Sequence, residues 1–247
     1  MTSPTALAAG SPTRVAGRNF YPYMSLACAL TAFAGFAPSY FLRGFSDLPP
    51  LSMRAQIHGA VFSAWMLFFV AQAALVRADR RDLHRYLGVA GGALAVLMLW
   101  TGTVAALGVA VRFEATGFRP HGLTPAAFLA VELGTLLQFA AFVALAIGFR
   151  RHAQTHKRLM LLATISILPP AIARLHLEKY GLPDAYTSTV LAYLLVVVAA
   201  AHDFVRTRRV HAAYVCGGLA MIAWMFMRSA IGKTDAWQAI ARGLLPS

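Results

Sequence analysis

The run YLGVAGGALAVLMLWTGTVAALGVAV, residues 86–111, contains twenty-six residues and no charge. A hydrocarbon core of roughly 30 Å takes about 20 helical residues to cross, so this stretch reads as a transmembrane helix. Six others are comparable, at 21–42, 53–76, 125–149, 159–176, 186–205 and 212–231. Only a helix satisfies all its backbone polar groups within one spanning segment, so the expected fold is an all-α bundle of seven transmembrane helices. Composition agrees: 59% of the 247 residues are hydrophobic and 13% are charged.

Overlapping the start of that run is VRADRRDLHRYLG, residues 76–88, with four arginines in thirteen residues. The chain carries 22 Lys+Arg against 9 Asp+Glu, a balance that in a soluble protein suggests nucleic acid. Here the basic residues gather at alternate turns: Arg77, Arg80, Arg81 and Arg85, then Arg150, Arg151, Lys157 and Arg158, then Arg206, Arg208 and Arg209. That is the positive-inside pattern, with the N-terminus cytoplasmic and the C-terminus outside. The charge is spent on topology, and no nucleic-acid partner is expected. The partner is the lipid bilayer, and the expected location a bacterial inner (cytoplasmic) membrane.

Residues 1–20 are rich in small residues, Ser, Thr and Pro, with no apolar segment ahead of a cleavage site, and read as a disordered cytoplasmic tail. Residues 21–231 form the transmembrane domain, and 232–247 an amphipathic interfacial segment in which Trp237, Ile240 and Leu244 recur at helical spacing. Cys28 and Cys216 both fall inside spans and read as buried apolar residues. In the fifth span, Pro169 and Pro170 deprive the carbonyls of Ile165 and Ser166 of their helical partners, which marks a break facing the bundle interior. Gly88, Gly91 and Gly92 give the third span a small-residue face, suited to a neighbouring helix or to another chain in a homo-oligomer or larger complex.

Ionisable residues inside spans are expensive and mark function. An outer tier comprises His58, Glu132, Arg174 and Arg228, with His176 and Arg54 nearer the surface. Helical phase turns these residues inward: His58, Trp65 and Gln72 share one stripe, Glu132, Thr135 and Gln138 another, and Gly217, Met221, Trp224 and Arg228 a third. The expected pocket, lined by His58, Trp65, Glu132, Arg174 and Arg228, suits a quinone or another polar-headed lipophile. Its alternatives are a small anionic ligand clamped by Arg174 and Arg228, and a purely structural ion pair. No nucleophile stands at a recognisable spacing from His58, so no catalytic group is assigned.

An inner tier of histidines comprises His84, His156, His202 and His211. Two neutral imidazoles at equal depth can ligate a b-type haem, through His84 with His156 or His156 with His211. His152 and His156 share an H-x-x-x-H spacing, but the stretch is expected in a loop without further ligands. The lead expectation is a membrane redox component, against a non-enzymatic binder, sensor or transporter and a structural subunit.

The motifs IHGA around His58, Leu-His-Arg-x-Leu-Gly at His84, Arg85 and Gly88, His-Lys-Arg-Leu-Met at His156, Lys157 and Arg158, then Arg174, and MRSAIG around Arg228, resemble a family of small polytopic bacterial membrane proteins without an assigned activity. The likeness runs from about residue 21 onward and implies the topology alone. More distantly, histidines opening successive helices are similar to the cytochrome b561 type of electron carrier, which holds two haems on two histidine pairs. The fourth span has Glu132 where a second pair would need a histidine, so that similarity implies at most the inner haem. A retinal-binding opsin needs a lysine within its last helix, and Lys233 lies beyond it. Seven-helix zinc hydrolases need an H-x-x-x-H in the last span, which 212–231 lacks.

Overall fold

The computed structural model describes residues 19–117, 123–175 and 187–245, and every regular element among them is helical. Helix α1, Phe20–Phe36, passes into a π-helical turn at Ala37–Phe41 and a 3-10 turn at Arg43–Phe45. There follow α2 Met53–Arg77, α3 Arg81–Thr116, α4 Pro125–Gly148, α5 Ala153–Ser166, α6 Pro169–Ala173, α7 Thr187–Thr207, α8 Ala212–Ile231 and α9 Asp235–Leu244. Hydroxyls start several of them. Ser52 accepts from the Ala55 amide at 3.4 Å ahead of α2, Thr124 from Ala127 at 3.1 Å ahead of α4, and Thr234 from Trp237 at 3.3 Å ahead of α9.

Among the described residues six helices are long and apolar enough to cross a membrane: α1 with its π-turn, α2, α3, α4, α7 and α8. The seventh expected stretch, 159–176, is instead two short helices, α5 and α6. With Pro169 unable to donate, the Ile165 carbonyl accepts from the Leu168 amide at 3.1 Å, and a new helix starts with proline in its first positions. His176, like residues 1–18 and Tyr186, lies outside the described residues.

The long helices form a ring in the order α1, α2, α3, α4, α8, α7, closed by α6 between α7 and α1. Helix α5 stands inside it, against α4, α8, α7 and α1, and the Trp65 indole reaches it from α2. Every residue from Leu161 to Pro169 is buried. A helix surrounded by protein has no lipid to match, so it tolerates a break that a lipid-facing helix would not. Since lipid tails are as apolar as leucine, close packing holds such a bundle together. A Cβ on Gly35 of α1 would collide with the Ala171 backbone in α6, and one on Gly217 of α8 with Leu162 of α5. Glycine at these two points lets the ring close on its centre.

Several expectations are corrected. Helix α3 begins at Arg81, five residues before the apolar run, so His84 and Arg85 lie in its first turns. His156 lies in the first turn of α5, not in a loop. Cys28 is fully buried, but Cys216 is exposed on the outer face of α8. The glycine face of α3 is partly used within the bundle, because Gly91 packs on Phe68 of α2. Helix α9 docks on the start of α4, where the Trp237 indole donates to the Ala126 carbonyl at 2.7 Å.

Candidate functional site

At the end of the bundle that carries the arginine-rich turns, α5 opens directly beneath α3. His84 and His156 meet there with ring centroids 6.2 Å apart and planes at 80°. The Nδ1 of His156 bonds to the Ala146 carbonyl of α4 at 2.8 Å. A carbonyl only accepts, so Nδ1 carries the proton and Nε2 keeps its lone pair. The Nδ1 of His84 is buried without a hydrogen-bond partner, and so are both amide atoms of the neighbouring Gln72, which is 8% exposed. At 100° per residue, Gly88 lies within about 40° of His84 on the face that α3 turns to the bundle. Gly88 is exposed, and nothing stands within 4 Å of where its side chain would be, so this flank of the two histidines is open to the surroundings of the bundle.

His211 and His202 have other partners. The Nδ1 of His211 accepts from the Ala213 amide at 3.1 Å and caps α8. Burial first, and then the nearby Arg158 guanidinium, hold its imidazole below the ordinary value of 6.5. His202 stacks on Phe20 with centroids 3.7 Å apart.

The most completely bonded polar group at this end rests on a residue that the sequence analysis passed over. Asp203 of α7 accepts two bonds from Arg158 of α5, from Nε at 2.8 Å and from Nη2 at 2.7 Å, with both side chains buried. Arg158 Nη1 also donates to the Gln154 carbonyl at 2.7 Å and to its side-chain oxygen at 2.9 Å. Beside the pair, the hydroxyls of Tyr21 (α1) and Tyr214 (α8) lie 3.2 Å apart, and Lys157 sits 4.5 Å above the Tyr21 ring. Arg158 is therefore an internal tie among four helices, not a solvated topological charge. The available signal was a lone acid at the end of a span beside a basic turn.

At the opposite end, four helical segments bring the outer tier together. Glu132 of α4 interacts electrostatically with Arg228 of α8 and then with Arg174, which follows α6; His58 of α2 also feels Arg174. Arg228 is 5% exposed and donates to the Thr135 hydroxyl and, at 3.4 Å, to the Val131 carbonyl. Arg174 is exposed, donates to the Pro170 carbonyl at 2.7 Å and lies 4.5 Å above the Phe36 ring. His58 packs on Phe62 with centroids 4.2 Å apart and keeps a buried, unpartnered Nδ1. Trp65 lies deeper: at 1% exposure it donates to the Thr164 hydroxyl at 3.3 Å and meets Phe139 edge-on. A cavity of about 470 Å³ at this end lies apart from the cluster, against Tyr40, Arg43, Ser46, Leu51 and Gln56.

Among the described residues no three of His, Cys, Asp and Glu gather to hold a metal ion. His84 and His156 approach each other as a pair, without a third such group. Compared with protein-family models, characterised proteins and solved structures, the chain matches none.

Proposed function

We propose that this integral membrane protein is a redox component that holds a b-type haem between His84 and His156. The observation that carries this is the 6.2 Å separation of the two rings. That separation is within the span of a single iron that would take one imidazole from α3 and one from α5. His156 donates its other ring nitrogen to a backbone carbonyl, the usual support of a metal-bound imidazole. The unfilled flank at Gly88 leaves room for a flat macrocycle along α3. A haem there would supply one-electron chemistry, while the chain would hold the imidazoles and fix the His156 tautomer.

The same reading has seven crossings, with the basic end cytoplasmic. From Ala153 to Ala173, α5 and α6 in tandem cover about 30 Å, the thickness of a hydrocarbon core. At the outer end, His58 with a free ring nitrogen and Arg174 over Phe36 suit the head of a quinone or similar lipophile. The test is haem content per chain in the purified protein. His84→Ala and His156→Ala should each lose the pigment while His211→Ala keeps it. Equal haem in all four proteins overturns the assignment.

A further inference from the structure

The turn from α1 to α2, residues 42–52, lies at the end of the bundle opposite the arginine-rich turns, since α2 runs from one end to the other. The positive-inside pattern therefore does not account for Arg43, which stands in it. Its guanidinium is held in place: Nε donates to the Pro49 carbonyl at 2.7 Å and Nη1 to the Ser39 carbonyl at 3.1 Å. Both partners are neutral, and Nη2 has no partner among the described residues. The ion pairs among the described residues are those of Arg80, Arg81 and Arg158, so Arg43 has no counter-charge, not even Asp47 of the same turn. A half-buried cation left in that state calls for an anion.

Arg43 lines the cavity of about 470 Å³ at this end, a volume in the range of small-molecule sites. Tyr40 closes its back, with its hydroxyl donating to the Gln56 carbonyl at 2.8 Å and its ring against Gly59 of α2, where a Cβ would strike it. Two oxygens in the wall are left to accept. Ser46 spends its hydroxyl proton on the Arg43 carbonyl at 2.8 Å, and Gln56 donates from Nε2 to the Leu51 carbonyl at 2.9 Å, so lone pairs remain on Ser46 Oγ and Gln56 Oε1. Around this polar wall the turn is apolar and uncovered: Phe45 is 88% exposed, and Leu42, Leu48 and Met53 are exposed too. The turn follows a helix long and apolar enough to cross a membrane, which sets the cavity at headgroup depth with acyl chains beside its rim.

We propose that this cavity holds the headgroup of an anionic glycerophospholipid, with its phosphate on the Arg43 guanidinium and its hydroxyls donating to Ser46 and Gln56. Nη2 and the second hydrogen of Nη1 lie side by side, the fork to which a phosphate binds through two oxygens. The two carbonyl bonds hold that fork in place before the lipid arrives, so little side-chain entropy is lost on binding. A zwitterionic head brings an ammonium as well, and no carboxylate lines the cavity to meet it. The exposed apolar side chains of the turn then lie along the acyl chains. The site uses neither the histidine pair nor the outer cluster, so it stands or fails separately from the redox reading.

The test is native mass spectrometry of the full chain in mild detergent, titrated with dioleoylphosphatidylglycerol and, in parallel, with dioleoylphosphatidylcholine. The wild type should bind phosphatidylglycerol the more tightly of the two. Arg43→Gln should weaken phosphatidylglycerol by about tenfold or more, as the loss of a hydrogen bond to a charged group does. Arg54→Gln removes an exposed charge in the first turn of α2, outside the cavity, and should change the affinity by less than about twofold. Because Arg43→Gln also gives up the bonds to Pro49 and Ser39, Leu48→Trp supplies a second reading: it fills the cavity, keeps both bonds, and should weaken the lipid at an unchanged Tm. Equal affinity for the two lipids overturns the proposal. So does a Leu48→Trp variant that binds like the wild type, or an Arg54→Gln variant that loses as much as Arg43→Gln. Displacement of the lipid by inorganic phosphate alone would make a soluble phosphate the occupant and overturn the lipid assignment.

Discussion

Asp203→Ala removes one partner of the Arg158–Asp203 pair and leaves a guanidinium in a site where the two side chains are 8% and 5% exposed. Arg158 keeps its bonds to Gln154 and loses its only described counter-charge. Breaking a buried pair from one side costs about 3–5 kcal/mol. That is well above the roughly 0.6 kcal/mol typical of a single hydrogen bond between membrane helices. At about 2–4 °C per kcal/mol for a chain of this size, Tm should fall by on the order of 10 °C. The assay is thermal unfolding in mild detergent, followed by thiol labelling of the buried Cys28, with Cys216 first replaced by serine. Arg158→Leu combined with Asp203→Leu removes both charges together and should recover most of the loss, since an apolar replacement for a buried pair is often neutral. A single Asp203→Ala variant within about 2 °C of wild type would refute the reasoning. So would a double variant no better than the single one.

Other expectations follow from the same packing. Gly35→Val should destabilise the protein by several kcal/mol, because the new side chain meets the Ala171 backbone and backbone cannot yield as a flexible side chain can; Tm measures it. Trp65→Ala should cost about 3–5 kcal/mol, as expected of a fully buried aromatic residue. His211 caps α8 only while Nδ1 is unprotonated, and its folded-state affinity for protons is depressed. Its contribution is therefore complete above the ordinary value of 6.5 and declines as pH falls below it. His211→Asn, which caps without titrating, should flatten the Tm profile between about pH 7.5 and 5. Under the proposed haem assignment, the 80° between the two rings predicts a highly anisotropic low-spin resonance from the oxidised protein.

Six of the apolar stretches were legible because a spanning helix needs only length and the absence of charge. The expected bounds of the last, 212–231, coincide with α8. The fifth was legible as a break but not as one helix at the centre and a second closing the ring, since proline marks where a helix fails and not what surrounds it. The start of α3 was misplaced because hydropathy ends at the first charge, whereas backbone hydrogen bonding continues through Arg85 to Arg81. Asp203 was missed for a different reason. Its partner Arg158 is 45 residues away and stands among basic residues that the positive-inside rule already explained. Pairing in space has no signature in a count of charges. The buried amide of Gln72 was visible only as a member of a stripe, because satisfaction is a property of neighbours.

The central claim is the haem between His84 and His156. Its most direct test is the absorption spectrum of the full chain, purified in mild detergent from cells supplied with a haem precursor, before and after dithionite. The account predicts a sharp Soret band that moves to longer wavelength on reduction, with resolved α and β bands of a six-coordinate b-type haem. A colourless protein that nonetheless unfolds cooperatively would contradict it and leave the two histidines as packing residues at the head of α5.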